Sequence, residues 1–151
     1  MFIFDALLQL RQNTLKRVEN LNTTQLNKIP EGHNNNIIWH VGHMVASQQL
    51  LCYANSGTTP LLPTELLNKY RKGTSPLGWE KMVSLDEIKL LFLDTALTFE
   101  KDYLAKKFNA YKSYTTSAGA TLNSIDDAIT YSYGHENLHY GNIITMLKLI
   151  K

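Results

Sequence analysis

Apolar side chains recur at three- and four-residue spacing in four stretches of this chain, and this period is the feature that most constrains its fold. The period predicts amphipathic helices over residues 2–21, 37–53, 84–104 and 124–151. Two long connections lie between them, residues 56–83 and 108–123, and a short helix is expected at residues 64–70. Four helices with two long crossover connections predict an all-α fold, a four-helix bundle.

Polar residues at the predicted helix starts indicate where two of the helices begin. Ser84 is followed three residues later by Glu87, and Ser124 by Asp127, which is the spacing of a capping box. We therefore expect the third helix to begin at Ser84 and the fourth at Ser124. The second long connection alternates in part and then becomes small and polar, which fits a long loop or a frayed hairpin.

The composition limits the classes of protein to which this chain can belong. A chain of 151 residues that is 44% hydrophobic and 19% charged predicts one globular domain over residues 1–151. The formal charge of +2 is too small and dispersed for a nucleic-acid-binding surface. The single cysteine, Cys52, excludes an intramolecular disulfide and is expected in the core. With no signal-peptide pattern and no apolar run long enough for a bilayer, we expect a cytoplasmic protein without a membrane partner.

The last predicted helix carries the motif with the clearest chemistry. His135 and His139 lie four residues apart, so they share one face of a helix and can bind one cation. With Glu136 they spell H-E-x-x-H, the motif of zinc proteases. A zinc protease takes its third ligand from further along the chain, but residues 140–151 contain no His, Asp, Glu or Cys. A third ligand must therefore come from upstream, and a protease is not favoured.

The second predicted helix supplies that candidate. His43 lies on one stripe with Trp39, Ala46, Leu50 and Tyr53, so it points toward the expected core. Three neutral imidazoles and a solvent molecule are the ligand set of a catalytic zinc, and nickel or iron would also accept it. The alternative is a set of histidines that only form hydrogen bonds with one another in the core.

Several residues near the three histidines are candidates for other roles. Glu136 is a candidate general base for a metal-bound water, although its position on the helix could equally face solvent or a neighbouring helix. Four further residues could line a pocket or support the ligands. These are Trp39, His40, Tyr131 and Asn142.

Two segments together resemble the DinB-like family. Residues 135–143 resemble its H-E-x-x-H-R-G-Q-(apolar) signature, and residues 36–44 resemble its second-helix signature, in which W precedes G-H-(apolar). The resemblance covers helix order and loop lengths over essentially the whole chain. It implies a four-helix bundle, usually a homodimer, with a divalent metal held by His43, His135 and His139. Two positions depart from the signature: Tyr140 stands in place of Arg, and Asn142 in place of Gln.

The function implied by the resemblance is metal-dependent chemistry on a small molecule. Characterised members include transferases and isomerases that use low-molecular-weight thiols, so a thiolate delivered to an open site on the metal is expected. We predict a divalent-metal-dependent thiol S-transferase or hydrolase, with zinc or nickel as the cofactor. The alternative is a non-catalytic, metal-binding or stress-related helical dimer, in which the cation would need a closed shell of four protein ligands.

Overall fold

Six α-helices make up most of the structure, a computed structural model that describes residues 1–150 and is 64% helical. The helices are α1 (Phe2–Val18), α2 (Thr23–Asn27), α3 (Ile37–Gln48), α4 (Thr64–Tyr70), α5 (Lys89–Leu104) and α6 (Ile125–Leu149). A hairpin of β1 (Tyr114–Thr115) and β2 (Thr121–Leu122) pairs antiparallel, with Tyr114 opposite Leu122. The predicted all-α fold is confirmed, and the hairpin is its only sheet in the described range 1–150.

The four long helices pack around one another as a bundle. Helix α1 contacts α5 and α6, and α3 contacts α5 and α6, which closes the ring of four. Every residue of α3 from Ile37 to Ala46 is buried, so this helix is wrapped on all sides by its neighbours. Because α3 and α6 lie in direct contact, side chains on their facing surfaces can meet in the interior.

Helix α3 does not continue as a regular α-helix to its predicted end. It passes into a π-helical turn at Gln49–Tyr53 and then a 3₁₀ turn at Ala54–Ser56. The buried Gln49 accepts a hydrogen bond from the Leu61 N–H at 2.6 Å, which ties this turn to the connection that follows. Such π turns are frequent at functional sites, and this one lies beside the cavity described below.

Two further predicted helix boundaries are wrong. Helix α1 ends at Val18, not at residue 21, because Asn22 and Gln25 form a capping box that starts α2. The third bundle helix, α5, begins at Lys89 and not at Ser84. The Ser84 side chain makes no capping bond, and the Glu87 carboxylate accepts hydrogen bonds from Lys69 and Tyr70 instead.

The fourth bundle helix begins as predicted. The Ser124 hydroxyl oxygen accepts a hydrogen bond from the Asp127 N–H at 3.1 Å, and Asp126 and Asp127 place negative charge in the first turn of α6. The Asp127 carboxylate in turn accepts a hydrogen bond at 2.8 Å from the N–H of Asn123, the residue before Ser124. This start fixes the register of the long helix that carries the H-E-x-x-H motif. None of the helices is long and apolar enough, within residues 1–150, to cross a membrane.

Candidate metal centre

Three histidine side chains meet between α3 and α6. His43 comes from α3, and His135 and His139 come from successive turns of α6. The ring centroids lie 5.1 Å apart for His43 and His135, 4.6 Å for His43 and His139, and 4.4 Å for His135 and His139. One nitrogen of each ring lies within 4.8 Å of the other two. The structure thus brings together the three residues that the sequence singled out.

Contacts behind the rings of His43 and His139 orient these two side chains. His43 donates its Nδ1–H to the Tyr70 carbonyl at 2.7 Å, so the lone pair of this ring is on Nε2, which lies 3.2 Å from the Ser47 hydroxyl. His139 Nδ1 lies 2.8 Å from His40 Nδ1, and its Nε2 lies 3.1 Å from His135 Nε2. Contacts of this kind orient the ligands of a metal and select their tautomers.

Burial keeps the three rings neutral at physiological pH. Burial, with a smaller contribution from the nearby His43, lowers the pKa of His135 to about 4. Burial together with repulsion from His135, His43 and His40 lowers the pKa of His139 to about 2. Burial also lowers the pKa of His43, while its bond to the Tyr70 carbonyl acts in the opposite direction. Neutral imidazole is the form that binds a metal, so no proton has to be removed first.

The donor set fits a divalent cation. Zn–N bonds of about 2.0–2.1 Å in a tetrahedron place two nitrogens about 3.3 Å apart, close to the 3.1 Å between His135 and His139. His135 Nδ1 is buried without a hydrogen-bond partner, so the polar contacts of this ring are incomplete as they stand. Across the described residues, no other His, Cys, Asp or Glu joins the group. Three protein ligands leave a coordination position open.

Trp39 and His40 support the cluster from behind. The Trp39 ring stacks on His43 with centroids 4.4 Å apart and planes at 12°, and its indole N–H donates to Thr74 at 3.0 Å. His40 contacts His139 through the Nδ1 atoms. Both were predicted to line a pocket or to support the ligands, and neither lines the cavity beside the cluster. They hold two of the three candidate ligands in place.

A cavity of about 490 Å³ opens beside the cluster. His43, His135 and Tyr131 form part of its wall. The Tyr131 and His135 rings are stacked, with their centroids 6.2 Å apart. The other lining residues come from the end of α3, the π turn, the 3₁₀ turn after it, the connection after α4, and the hairpin: Ser47, Leu50, Leu51, Ala54, Asn55, Arg71, Lys72, Tyr114, Thr116 and Ser117. Asn142, the fourth predicted pocket residue, is half-buried on α6 and is not in this wall.

Sequence reasoning missed most of this wall. Arg71 and Lys72 follow a short helix in a long connection, and Tyr114, Thr116 and Ser117 belong to a hairpin of two-residue strands. No period or motif marks them. The one available signal was that long connections in compact domains often carry function.

Glu136 has a partner other than the histidines. Its carboxylate is fully buried and accepts two hydrogen bonds from Arg11, at 2.6 and 3.0 Å. Burial raises the pKa of Glu136, and the Arg11 guanidinium opposes that change. Since both carboxylate oxygens are engaged by Arg11, the geometry favours a structural role over the general-base role suggested by the motif.

Cys52 lies in the core, as predicted. It is fully buried, and burial raises the pKa of its thiol to about 12. The thiol is therefore protonated at physiological pH, and it is no nucleophile in this environment.

A comparison with known protein families finds a match over most of the chain. The family model described as DinB superfamily matches residues 6–143. The match spans both segments on which the sequence resemblance rests, and all three clustered histidines. No curated protein matches the chain significantly.

Proposed function

This chain belongs to the DinB superfamily, and we propose that it is a metal-dependent enzyme in which His43, His135 and His139 hold one divalent cation. The observation that carries the proposal is the convergence of three neutral imidazoles, with no fourth protein ligand in the described chain, beside a cavity of about 490 Å³. Structural zinc sites have four protein ligands, whereas catalytic sites keep one position open.

The cation would supply one thing: it lowers the pKa of a bound water or thiol, which yields a nucleophile at neutral pH. The residues of the chain do the rest. Trp39 and the Tyr70 carbonyl orient His43, and His40 orients His139. Tyr131 lies beside His135 in the cavity wall.

We propose a small-molecule transferase that uses a low-molecular-weight thiol, or a hydrolase, with zinc or nickel as the metal. Imidazole ligands suit both metals. The chain itself provides no thiol at the site, since its only cysteine is buried and protonated. A thiol substrate would therefore be delivered from outside through the cavity.

Cobalt substitution tests this proposal. Co²⁺ bound in the site should give visible absorption bands that shift when 2-mercaptoethanol is added, because an external thiolate takes the open position. His139→Ala should remove the bands, and His33→Ala, which changes a histidine outside the group of three, should leave them in place.

A cobalt spectrum that ignores added thiol would contradict the proposed open site. It would favour the non-catalytic alternative, in which a fourth protein ligand closes the shell. Turnover of an electrophile panel at the same rate by metal-free protein would contradict the enzymatic proposal as well.

A further inference from the structure

The cavity wall carries two positive side chains and no negative one. Arg71 and Lys72 line it, and no Asp or Glu does. Neither cation forms an ion pair in residues 1–150, whereas Lys69, two residues earlier, is paired with Glu87 at 2.7 Å. Unpaired charges of one sign in a cleft with low-dielectric walls concentrate counter-ions there.

These two residues stand at a fixed place relative to the histidines. The preceding Tyr70 is fully buried, and its carbonyl accepts the hydrogen bond from His43. Its ring packs directly on Gly42, where even a Cβ atom would overlap it. The Arg71 N–H donates to the Leu67 carbonyl at 2.9 Å, so the backbone at residue 71 is anchored too. The positive end of the cavity is therefore held beside the histidine cluster.

Another part of the wall is apolar. Leu50, Leu51 and Ala54 of the π turn and the turn that follows supply this surface. The cavity of about 490 Å³ is in the range of small-molecule sites. Its occupant can contact positive side chains, an apolar surface and the histidines His43 and His135 within the same cavity.

We propose that the cavity binds a small organic anion, with its charged group at Arg71 and Lys72 and its apolar segment along Leu50, Leu51 and Ala54. This inference rests on the proposed function only in that it places a reactive group of the anion at the histidine cluster. Arg71 and Lys72 then select the substrate by charge, and Leu50, Leu51 and Ala54 select it by its apolar surface.

Hexanoate is the probe, compared with acetate and 1-hexanol, and binding is followed by amide shifts in two-dimensional NMR. Hexanoate should bind with shifts at the amides of Leu50, Leu51 and Arg71, and should weaken as ionic strength rises. Acetate lacks the apolar segment and 1-hexanol lacks the charge, so each should bind at least about tenfold more weakly. Equal binding of hexanoate and 1-hexanol, or no binding of hexanoate, would overturn the proposal.

A matched pair of double variants separates this site from general surface charge. Arg71→Gln with Lys72→Gln should weaken hexanoate at least about tenfold, since two charge-assisted contacts are lost. Lys16→Gln with Arg17→Gln removes an exposed neighbouring pair at the end of α1 and should change nothing. Equal losses in the two variants, or none in the first, would refute the assignment.

The two proposals can fail separately. Hexanoate binding is measured on the protein as purified and again after dialysis against EDTA, and it should persist in both. Metal content is measured on the Arg71→Gln, Lys72→Gln variant and should equal that of the wild type. Loss of the metal site would end the proposed function without touching hexanoate binding, and absence of hexanoate binding would end this inference alone.

Discussion

The Arg11–Glu136 pair gives the sharpest test of how the bundle is held together. Both side chains are fully buried, and Arg11 donates four hydrogen bonds: two to Glu136, one to the Phe92 carbonyl and one to the Thr95 hydroxyl, at 2.6–3.0 Å. The pair ties α1 and α5 to the middle of α6. Glu136→Gln keeps the shape of the side chain but leaves the guanidinium buried without its counter-charge.

Breaking a buried ion pair by removing one partner costs about 3–5 kcal/mol. Domains of this size unfold with a free energy of about 5–15 kcal/mol, so Glu136→Gln should remove a large part of the stability. With a urea m-value of about 2 kcal/mol/M, the midpoint of unfolding should fall by about 2 M. Urea titration followed by circular dichroism measures both quantities.

The matched control is Glu100→Gln. Glu100 pairs with the N-terminal ammonium at 3.0 Å, and side-chain exposure of 53% and 34% on the two sides makes this a surface contact. Its loss should cost no more than about 1 kcal/mol. Adding Arg11→Met to Glu136→Gln should recover part of the stability, because the unpaired charge is gone. A cost below 1 kcal/mol for Glu136→Gln, or strictly additive effects in the double variant, would refute this reasoning.

Three further predictions concern the surroundings of the cluster. His40→Ala should weaken metal affinity about 10–100-fold, because His139 loses the contact that orients it; competition with a chromophoric chelator measures this, and unchanged affinity would contradict it. Gly42→Ala should lower the free energy of unfolding by about 1–3 kcal/mol, because the added Cβ overlaps the Tyr70 ring. Gly134→Ala, on the exposed side of α6 where a Cβ meets nothing, should raise that free energy by about 0.5–1 kcal/mol. Denaturant titration measures both, and equal effects of the two substitutions would contradict the packing argument. In metal-free protein, burial holds the pKa values of His40 and His135 at about 4, below the unfolded value of 6.5. The unfolded chain therefore binds protons first, so the free energy of unfolding should be highest above pH 6.5 and fall as the pH drops toward about 4. A urea midpoint that stays constant over this pH range in EDTA would contradict the burial effect.

The sequence was sufficient for the helices and for the three histidines because both depend on local periodicity. On α6 a spacing of four residues determines the shared face of His135 and His139. On α3 the stripe that holds His43 was visible from apolar neighbours at helical spacing. The short helix α4 was also predicted with its observed ends.

Features that depend on distant contacts could not be derived in this way. Ser84 and Glu87 have capping-box spacing, but Glu87 binds Lys69 and Tyr70 across the fold, and α5 begins later. The cavity wall draws on segments with no period, which reach the site only through tertiary packing.

The role of Glu136 had a sequence signal that the motif obscured. Arg11 lies on the apolar stripe of α1, where a charged residue requires a buried partner of opposite charge. The H-E-x-x-H motif suggested a catalytic role for Glu136, yet this glutamate is the buried partner that Arg11 requires.

The central claim is that three imidazoles from two helices hold one metal ion, and metal content tests it most directly. Elemental analysis of protein purified without chelators should find about one divalent ion per chain, and none in His43→Ala, His135→Ala or His139→Ala variants that remain folded by circular dichroism. Wild-type protein that takes up no divalent ion even when supplied with zinc or nickel, or a His139→Ala variant that keeps a full equivalent, would contradict the account.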